Sequence, residues 1–87
     1  MTIVDFEIFI MRIEKLVQNE QAHLNWLYEK KIEILNKKRG CLHHLLERFD
    51  FVLPDIDKMI EESEQHLRYY ETRLEQYQEY VNKLRNN

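Results

Sequence analysis

The segment Lys37–His44, KKRGCLHH, concentrates side chains that bind metals or act as nucleophiles. It holds the chain's only cysteine, Cys41, and two of its four histidines, His43 and His44. On a helix Cys41 and His44 share a face, whereas His43 points elsewhere. At most two ligands therefore converge within one chain, and a structural zinc site needs four. We interpret the segment as a helix interruption at Gly40; the alternative is a metal site that Cys41 and His44 share between two chains.

A second candidate metal site is the E-x-x-H motif formed by Glu20 and His23. Residues three apart project together from a helix, and di-iron carboxylate bundles use this pair twice, together with further glutamates. Here the nearest second pair, Glu62 and His66, is four residues apart. The donors are therefore too few for a di-iron centre. Glu20, His23 and His66 remain candidates for a metal-binding bundle, and the main interpretation gives Glu20 a role in setting helix register.

Motifs for catalysis and nucleotide binding are absent from the sequence, which has no Gly-rich phosphate loop, nucleophile elbow or Walker-type lysine. Cys41 lacks the formed pocket that a thiol nucleophile requires, because a slender bundle has little room for one. The basic run from Lys30 to Arg39 is interleaved with Glu29 and Glu33 and has no aromatic platform for bases. We therefore predict no enzymatic activity, no cofactor, no small-molecule substrate and no nucleic-acid partner.

The composition predicts an all-α protein. The 87 residues are 44% hydrophobic and 33% charged, with one glycine and one proline, too few for the frequent turns of a β protein. A chain of this length buries only a small core, so we expect help from a second chain. A single cysteine fits a reducing compartment, and the expected location is cytoplasmic. The apolar start is interrupted by Asp5, Glu7 and Arg12 and is too short to span a membrane.

Two apolar series with alternating three- and four-residue steps predict two long amphipathic helices. The first, in which Glu20 and Lys31 fill two steps, comprises Ile3, Phe6, Ile10, Ile13, Val17, Leu24, Leu27 and Ile34. The second comprises Ile56, Ile60, Ser63, Leu67, Tyr70, Leu74, Tyr77, Val81 and Leu84. Because 3.6 residues per turn do not match a seven-residue repeat, we expect the first stripe to drift to Tyr28, Ile32, Leu35, Leu42, Leu46 and Phe49.

The predicted fold is a long antiparallel helical hairpin, coiled-coil-like, that assembles into a helical bundle. We expect a single domain over residues 1–87, with a helix over about 2–49, a turn at 50–55 and a helix over about 55–85. Pro54 suits the first turn of the second helix, where its missing N–H has no helical partner.

Gly40 is interpreted as a bend within the first helix, since no N-cap residue follows it. The alternative is a break at Gly40 that gives three helices, with a short one over 41–50. If the first helix is continuous, the second covers only its nearer part. The N-terminal segment, residues 3–17, then projects beyond the second helix.

This N-terminal segment is apolar on more sides than one neighbouring helix can bury. Exposed apolar surface of that kind marks an interaction site. For the tyrosines of the second helix, the main interpretation is packing within one chain. The alternative is a partner contact, in which the ring is buried while the hydroxyl stays hydrated. The predicted partner or oligomer interface comprises Ile3, Phe6, Phe9, Ile10, Ile13, Val17, Tyr70 and Tyr77.

The function expected from these features is a non-enzymatic protein–protein interaction module. It is a homo-oligomerising helical adaptor, or a small regulator or inhibitor, that binds a partner protein through its apolar N-terminal helix face. Its expected partners are a second copy of itself and another protein. One alternative is a small secretion-type chaperone that holds an amphipathic client helix. An alternative of another class is the metal-binding bundle.

The ligand counts predict that the purified protein carries no stoichiometric zinc or iron. Elemental analysis of protein prepared without chelators measures this directly. About one metal ion per chain, lost on Glu20→Ala or His23→Ala, would contradict the prediction and favour the metal-binding bundle.

Overall fold

Two long helices run side by side in opposite directions. The computed structural model describes residues 2–40 and 46–86. Helix α1 spans Ile3–Arg39 and helix α2 spans Leu46–Asn86. The described residues therefore form an all-α antiparallel hairpin, coiled-coil-like, with extents of 67 × 16 × 14 Å.

The seam between α1 and α2 follows the two apolar series predicted from the sequence. Residues three and four apart project from one side of a helix, so each series meets the other along the full length. Among the residues that the structure describes, the buried apolar side chains are Leu24, Leu27, Ile56, Ile60, Leu67 and Val81. Each contributes roughly 1.5–3 kcal/mol to folding. These residues form the hairpin's core, and Leu27 at 1% exposure is its most enclosed member.

A capping box begins α1, a feature that the sequence analysis missed. The Thr2 hydroxyl accepts a hydrogen bond from the Asp5 N–H, and the Asp5 carboxylate accepts one from the Thr2 N–H. The Thr2 backbone N–H, followed by its hydroxyl, holds the pKa of Asp5 below its ordinary value. A side-chain oxygen at this position satisfies backbone donors that the first helical turn leaves unpaired.

Gly40 ends α1, so the prediction of a bend within a continuous helix is wrong. Its N–H donates to the Lys37 carbonyl at 3.2 Å, and its φ of −96° lies outside the left-handed region. Of the residues predicted for the drifted stripe, Tyr28, Ile32 and Leu35 are exposed, which corrects that part of the prediction, whereas Phe49 is half-buried. The exposed part of the stripe does not offset the roughly 1 kcal/mol that a glycine costs within a helix. Leu42 and the side chain of Leu46, predicted for the same stripe, lie outside what the structure describes.

Residues 50–55 belong to α2, so the turn predicted there is wrong. Pro54 lies inside α2 rather than in its first turn. A proline there removes the hydrogen bond to the Asp50 carbonyl and costs about 3 kcal/mol. Phe49 and Leu53 are half-buried and extend the apolar series of α2 toward its N-terminus. Lys38 of α1 pairs with Asp50 of α2. These contacts with α1 offset the cost of the proline.

The N-terminal segment does not project beyond α2, which corrects a further expectation. Helices of 37 and 41 residues match in length. The Phe6 and Tyr80 ring centroids are 4.9 Å apart, and Arg85 forms an ion pair with Glu7. The start of α1 is therefore packed against the last turns of α2.

Both helices carry charged residues on their outer sides, and the mean hydropathy of the chain is −0.66. Within residues 2–40 and 46–86, neither helix holds a stretch both long and apolar enough to cross a membrane.

Replacing Leu67 by Ala is expected to lower the free energy of unfolding by about 2–5 kcal/mol, because Leu67 is buried in the seam. Urea unfolding at one fixed protein concentration measures the change. The control is Ile32→Ala, which removes an exposed side chain of α1 and should cost less than about 0.5 kcal/mol. Equal losses for the two variants would contradict the seam described here.

Candidate functional site

A polar layer interrupts the apolar seam near the middle of the hairpin. The Ser63 hydroxyl, on a residue that is 2% exposed, donates a 2.7 Å hydrogen bond to Oε1 of Glu20. The Glu20 side chain is 19% exposed and keeps part of its hydration. Nδ1 of His66 lies 3.7 Å from the same oxygen, too far for a hydrogen bond. Since a shift of α2 along α1 would leave both polar groups against apolar side chains, this layer favours one register.

The candidate metal ligands only partly converge. Glu20 and His66 approach each other in the polar layer, whereas the His23 ring stacks on Trp26 with centroids 6.3 Å apart. Over the described ranges 2–40 and 46–86, no three His, Cys, Asp or Glu side chains are grouped closely enough to hold an ion. Three further candidates lie outside those ranges: Cys41, His43 and His44.

Two lysines of the basic run form ion pairs with aspartates of α2. Nζ of Lys31 lies 2.6 Å from the Asp57 carboxylate, and Lys38 pairs with Asp50. Both pairs cross from α1 to α2 at the end of the hairpin where α1 finishes. Exposed ion pairs contribute at most about 1 kcal/mol each, but they let α1 carry charged residues at the edge of the seam.

Most residues of the predicted interface lie in the seam. Seven are half-buried members of the two apolar series: Ile3, Phe6, Ile10, Ile13, Val17, Tyr70 and Tyr77. Phe9 is exposed beside them, and its ring stacks on Tyr77 with centroids 6.5 Å apart. The opposite helix of the same chain therefore covers much of the surface that was assigned to a second chain. That these residues also contact another chain stays a prediction.

One broad side of the hairpin exposes apolar side chains from both helices. Each of them directly precedes a residue of the seam, and in antiparallel helices such positions lie on one common side. The members are Phe9, Leu16, Trp26, Val52, Met59, Tyr69 and Tyr80. We call this set the two-helix face. Two cations lie over its rings: Nζ of Lys30 is 5.7 Å from the centre of the Trp26 ring, and the Arg73 guanidinium is 5.8 Å from that of Tyr69.

The opposite broad side is apolar on α1 alone. From Asp57 onward, every residue of α2 that follows a seam residue is polar: Asp57, Glu61, Glu64, Arg68, Glu71, Glu75, Gln78, Asn82 and Arg85. The Tyr28 hydroxyl donates to the Glu64 carboxylate on this side. The hydrogen bond favours the protonated phenol and raises the pKa of Tyr28. This side therefore offers a narrow apolar strip rather than a face.

At the N-terminal end of that strip, Val4, Ile8 and Met11 share one side of α1 and are all exposed, Met11 to 68%. We call these three residues the N-terminal patch. A groove of about 570 Å³ adjoins Met11. Its lining residues are Glu7, Ile10, Met11, Gln78, Val81, Asn82 and Arg85. The groove thus combines apolar side chains of the seam with an ion pair between Glu7 and Arg85.

The sequence analysis missed the two-helix face, although the sequence carries its signal. Leu16, Val52 and Met59 each stand one position before a seam residue. Reading the two series as a heptad would have placed them on one side of an antiparallel pair. The wrong turn at residues 50–55 hid this relation, because it left Val52 outside the second helix.

Replacing Ser63 by Ala is expected to lower the free energy of unfolding by about 1–3 kcal/mol, because the Glu20 carboxylate then lacks a donor in the seam. Adding Glu20→Leu should recover that loss, since an apolar pair needs no hydrogen bond. Urea unfolding of the single and double variants measures both effects. A double variant that is less stable than Ser63→Ala alone would contradict this account of the layer.

Comparison of the chain with protein-family models, with characterised proteins and with solved structures finds no match.

Proposed function

We propose that this chain is a non-enzymatic protein–protein interaction module, a helical adaptor or small regulator. It self-associates, and it binds a partner protein through the exposed apolar side of the N-terminal part of α1. The observation that supports this most directly is the surplus of exposed apolar surface on a chain with a small core. Six apolar side chains are buried, whereas fifteen large apolar side chains among the described residues are exposed.

The total accessible surface of the chain is also large, because the hairpin is elongated. It amounts to 7024 Å², whereas a compact monomer of 10.9 kDa exposes about 5,600 Å². The excess of about 1,400 Å² exceeds the roughly 800 Å² that each partner buries in a standard protein–protein interface. An assembly of helices therefore has enough surface available without any change in the hairpin.

The N-terminal patch suits the apolar face of a helix from another protein. Val4, Ile8 and Met11 follow the four- and three-residue spacing of a helix-in-groove contact, and the groove beside Met11 adds Ile10 and Val81. Each such side chain, once fully buried, contributes roughly 1.5–3 kcal/mol, before the entropy cost of association is subtracted. The patch can thus support a specific but moderate affinity.

Binding rather than catalysis also fits the one polar cluster inside the seam. Ser63 is buried, so a substrate cannot reach its hydroxyl, and that hydroxyl already donates to Glu20. A serine nucleophile needs an accessible oxygen and a base that takes its proton. The cluster is arranged to join two helices.

The variant Ile8→Glu with Met11→Glu is expected to lose the partner protein, because it places two charges in the N-terminal patch. Both side chains are exposed, so the hairpin should keep its helix content by circular dichroism. Tagged protein is recovered from its native host, and co-purifying proteins are quantified by mass spectrometry. The recovered amount of at least one protein that co-purifies abundantly with the unaltered chain should fall about tenfold or more.

The matched control is Gln18→Glu with Ala22→Glu, which adds the same charge to α1 at exposed positions outside the patch. It should retain the companion protein. Recovery of the same proteins in equal amounts with both variants would show that the patch is not a binding surface. Substitutions at Phe6 or Ile10 do not serve here, because both residues lie in the seam with α2.

A further inference from the structure

We propose that the two-helix face is the surface on which a second copy of this chain docks, so that two hairpins form a four-helix bundle. This inference rests on the self-association in the proposed function and assigns the surface that carries it. The seven residues of this face come from both helices and extend from Phe9 and Tyr80 at one end to Val52 at the other. A second hairpin also presents two antiparallel helices, and its matching face is of the same kind.

The charge pattern of the two broad sides distinguishes them. On the opposite side, each of the nine residues of α2 that directly follow a seam residue from Asp57 to Arg85 is polar, and seven of the nine are acidic or basic. A hairpin docked there would bury these charges, which costs far more than the strip on α1 returns. Of the nine matching residues of α2 on the two-helix face, which directly precede a seam residue from Ile56 to Leu84, only four are charged: Asp55, Glu62, Arg73 and Lys83. Burial of the two-helix face therefore places fewer charges in an interface.

The centre of the two-helix face is polar and includes the exposed Glu62, which directly precedes Ser63. His23 and His66 directly precede Leu24 and Leu67 of the seam, and the His23 ring stacks on Trp26. In a symmetric dimer the same face of each chain forms the interface. Each residue therefore contacts either the same residue of the second chain or a residue next to it. Apolar ends around a polar centre give a pair of hairpins one preferred alignment.

The size of the surface agrees with a dimer. The chain exposes about 1,400 Å² more than a compact monomer of its mass, and a dimer interface takes about 800 Å² from each partner. Helices that pack in a bundle lie 8–10 Å apart, which brings positions next to the seam into contact across the interface. The second copy thus covers the face and leaves the N-terminal patch exposed for another protein.

The only tryptophan of the chain makes this face observable. Trp26 is 52% exposed in the single hairpin and belongs to the two-helix face. Sedimentation of the purified full chain over a dilution series should give twice 10.9 kDa at high concentration. Trp26 emission should move to longer wavelength over the same concentrations at which the mass falls to that of one chain.

Leu16→Glu with Met59→Glu tests the face by substitution. Both residues are exposed, so circular dichroism should show an intact hairpin, and the dimer dissociation constant should rise at least about 100-fold. Gln18→Glu with Ile32→Glu adds the same charge to exposed positions on the opposite side, outside the N-terminal patch. That control should leave the dissociation constant within about threefold of the unaltered chain.

Three results would overturn the inference. The mass of a single chain at every concentration would show that the chain does not self-associate. Partner binding through the N-terminal patch is tested separately by the Ile8→Glu with Met11→Glu variant. A dimer whose Trp26 emission does not change on dissociation would place the second copy elsewhere. The same conclusion would follow if the Leu16/Met59 variant kept the dimer, or if the Gln18/Ile32 variant dissociated it.

Discussion

A pair of helices can bury only one stripe of each, and this constraint governs the rest of the structure. The seam uses every third or fourth residue of α1 and α2, so apolar side chains at other positions must stay exposed or meet another chain. Larger bundles avoid the difficulty because each helix has two neighbours. In this chain the seam accounts for all six buried apolar residues, and the remaining apolar surface is left on the outside.

The seam changes character along its length. Aromatic rings, among them Phe6, Tyr77 and Tyr80, hold the end where α1 begins and α2 finishes. Aliphatic side chains and the Ser63–Glu20 hydrogen bond fill the middle. Lysine–aspartate pairs flank it where α1 finishes. Apart from Val81, the buried apolar side chains form one cluster in the middle, so alignment of the helices depends on a polar contact surrounded by a short apolar core.

Much of this fold could be predicted from the sequence, because burial along one stripe imposes a spacing that is visible in the residues themselves. Glu20 and Lys31 were placed correctly as polar members of the first series for that reason. The helix ends were not predicted. A local rule put Pro54 in a first turn, whereas α2 extends before it along contacts with α1 that a single sequence does not display. Gly40 was placed inside a helix because Tyr28 and Ile32 suggested a continued stripe, yet both side chains are exposed, and the Tyr28 hydroxyl reaches Glu64 of α2 instead.

The proline inside α2 has a consequence for the motions of the hairpin. Residues 46–53 precede Pro54, which has no N–H to donate to the Asp50 carbonyl. One backbone hydrogen bond fewer therefore joins them to the following turns of α2. Among the described side chains of this portion, Phe49 and Leu53 are half-buried, and Asp50 pairs with Lys38 of α1. This portion can therefore open on its own while the middle of the seam stays closed, and its amide protons should exchange with solvent sooner than those around Ile60.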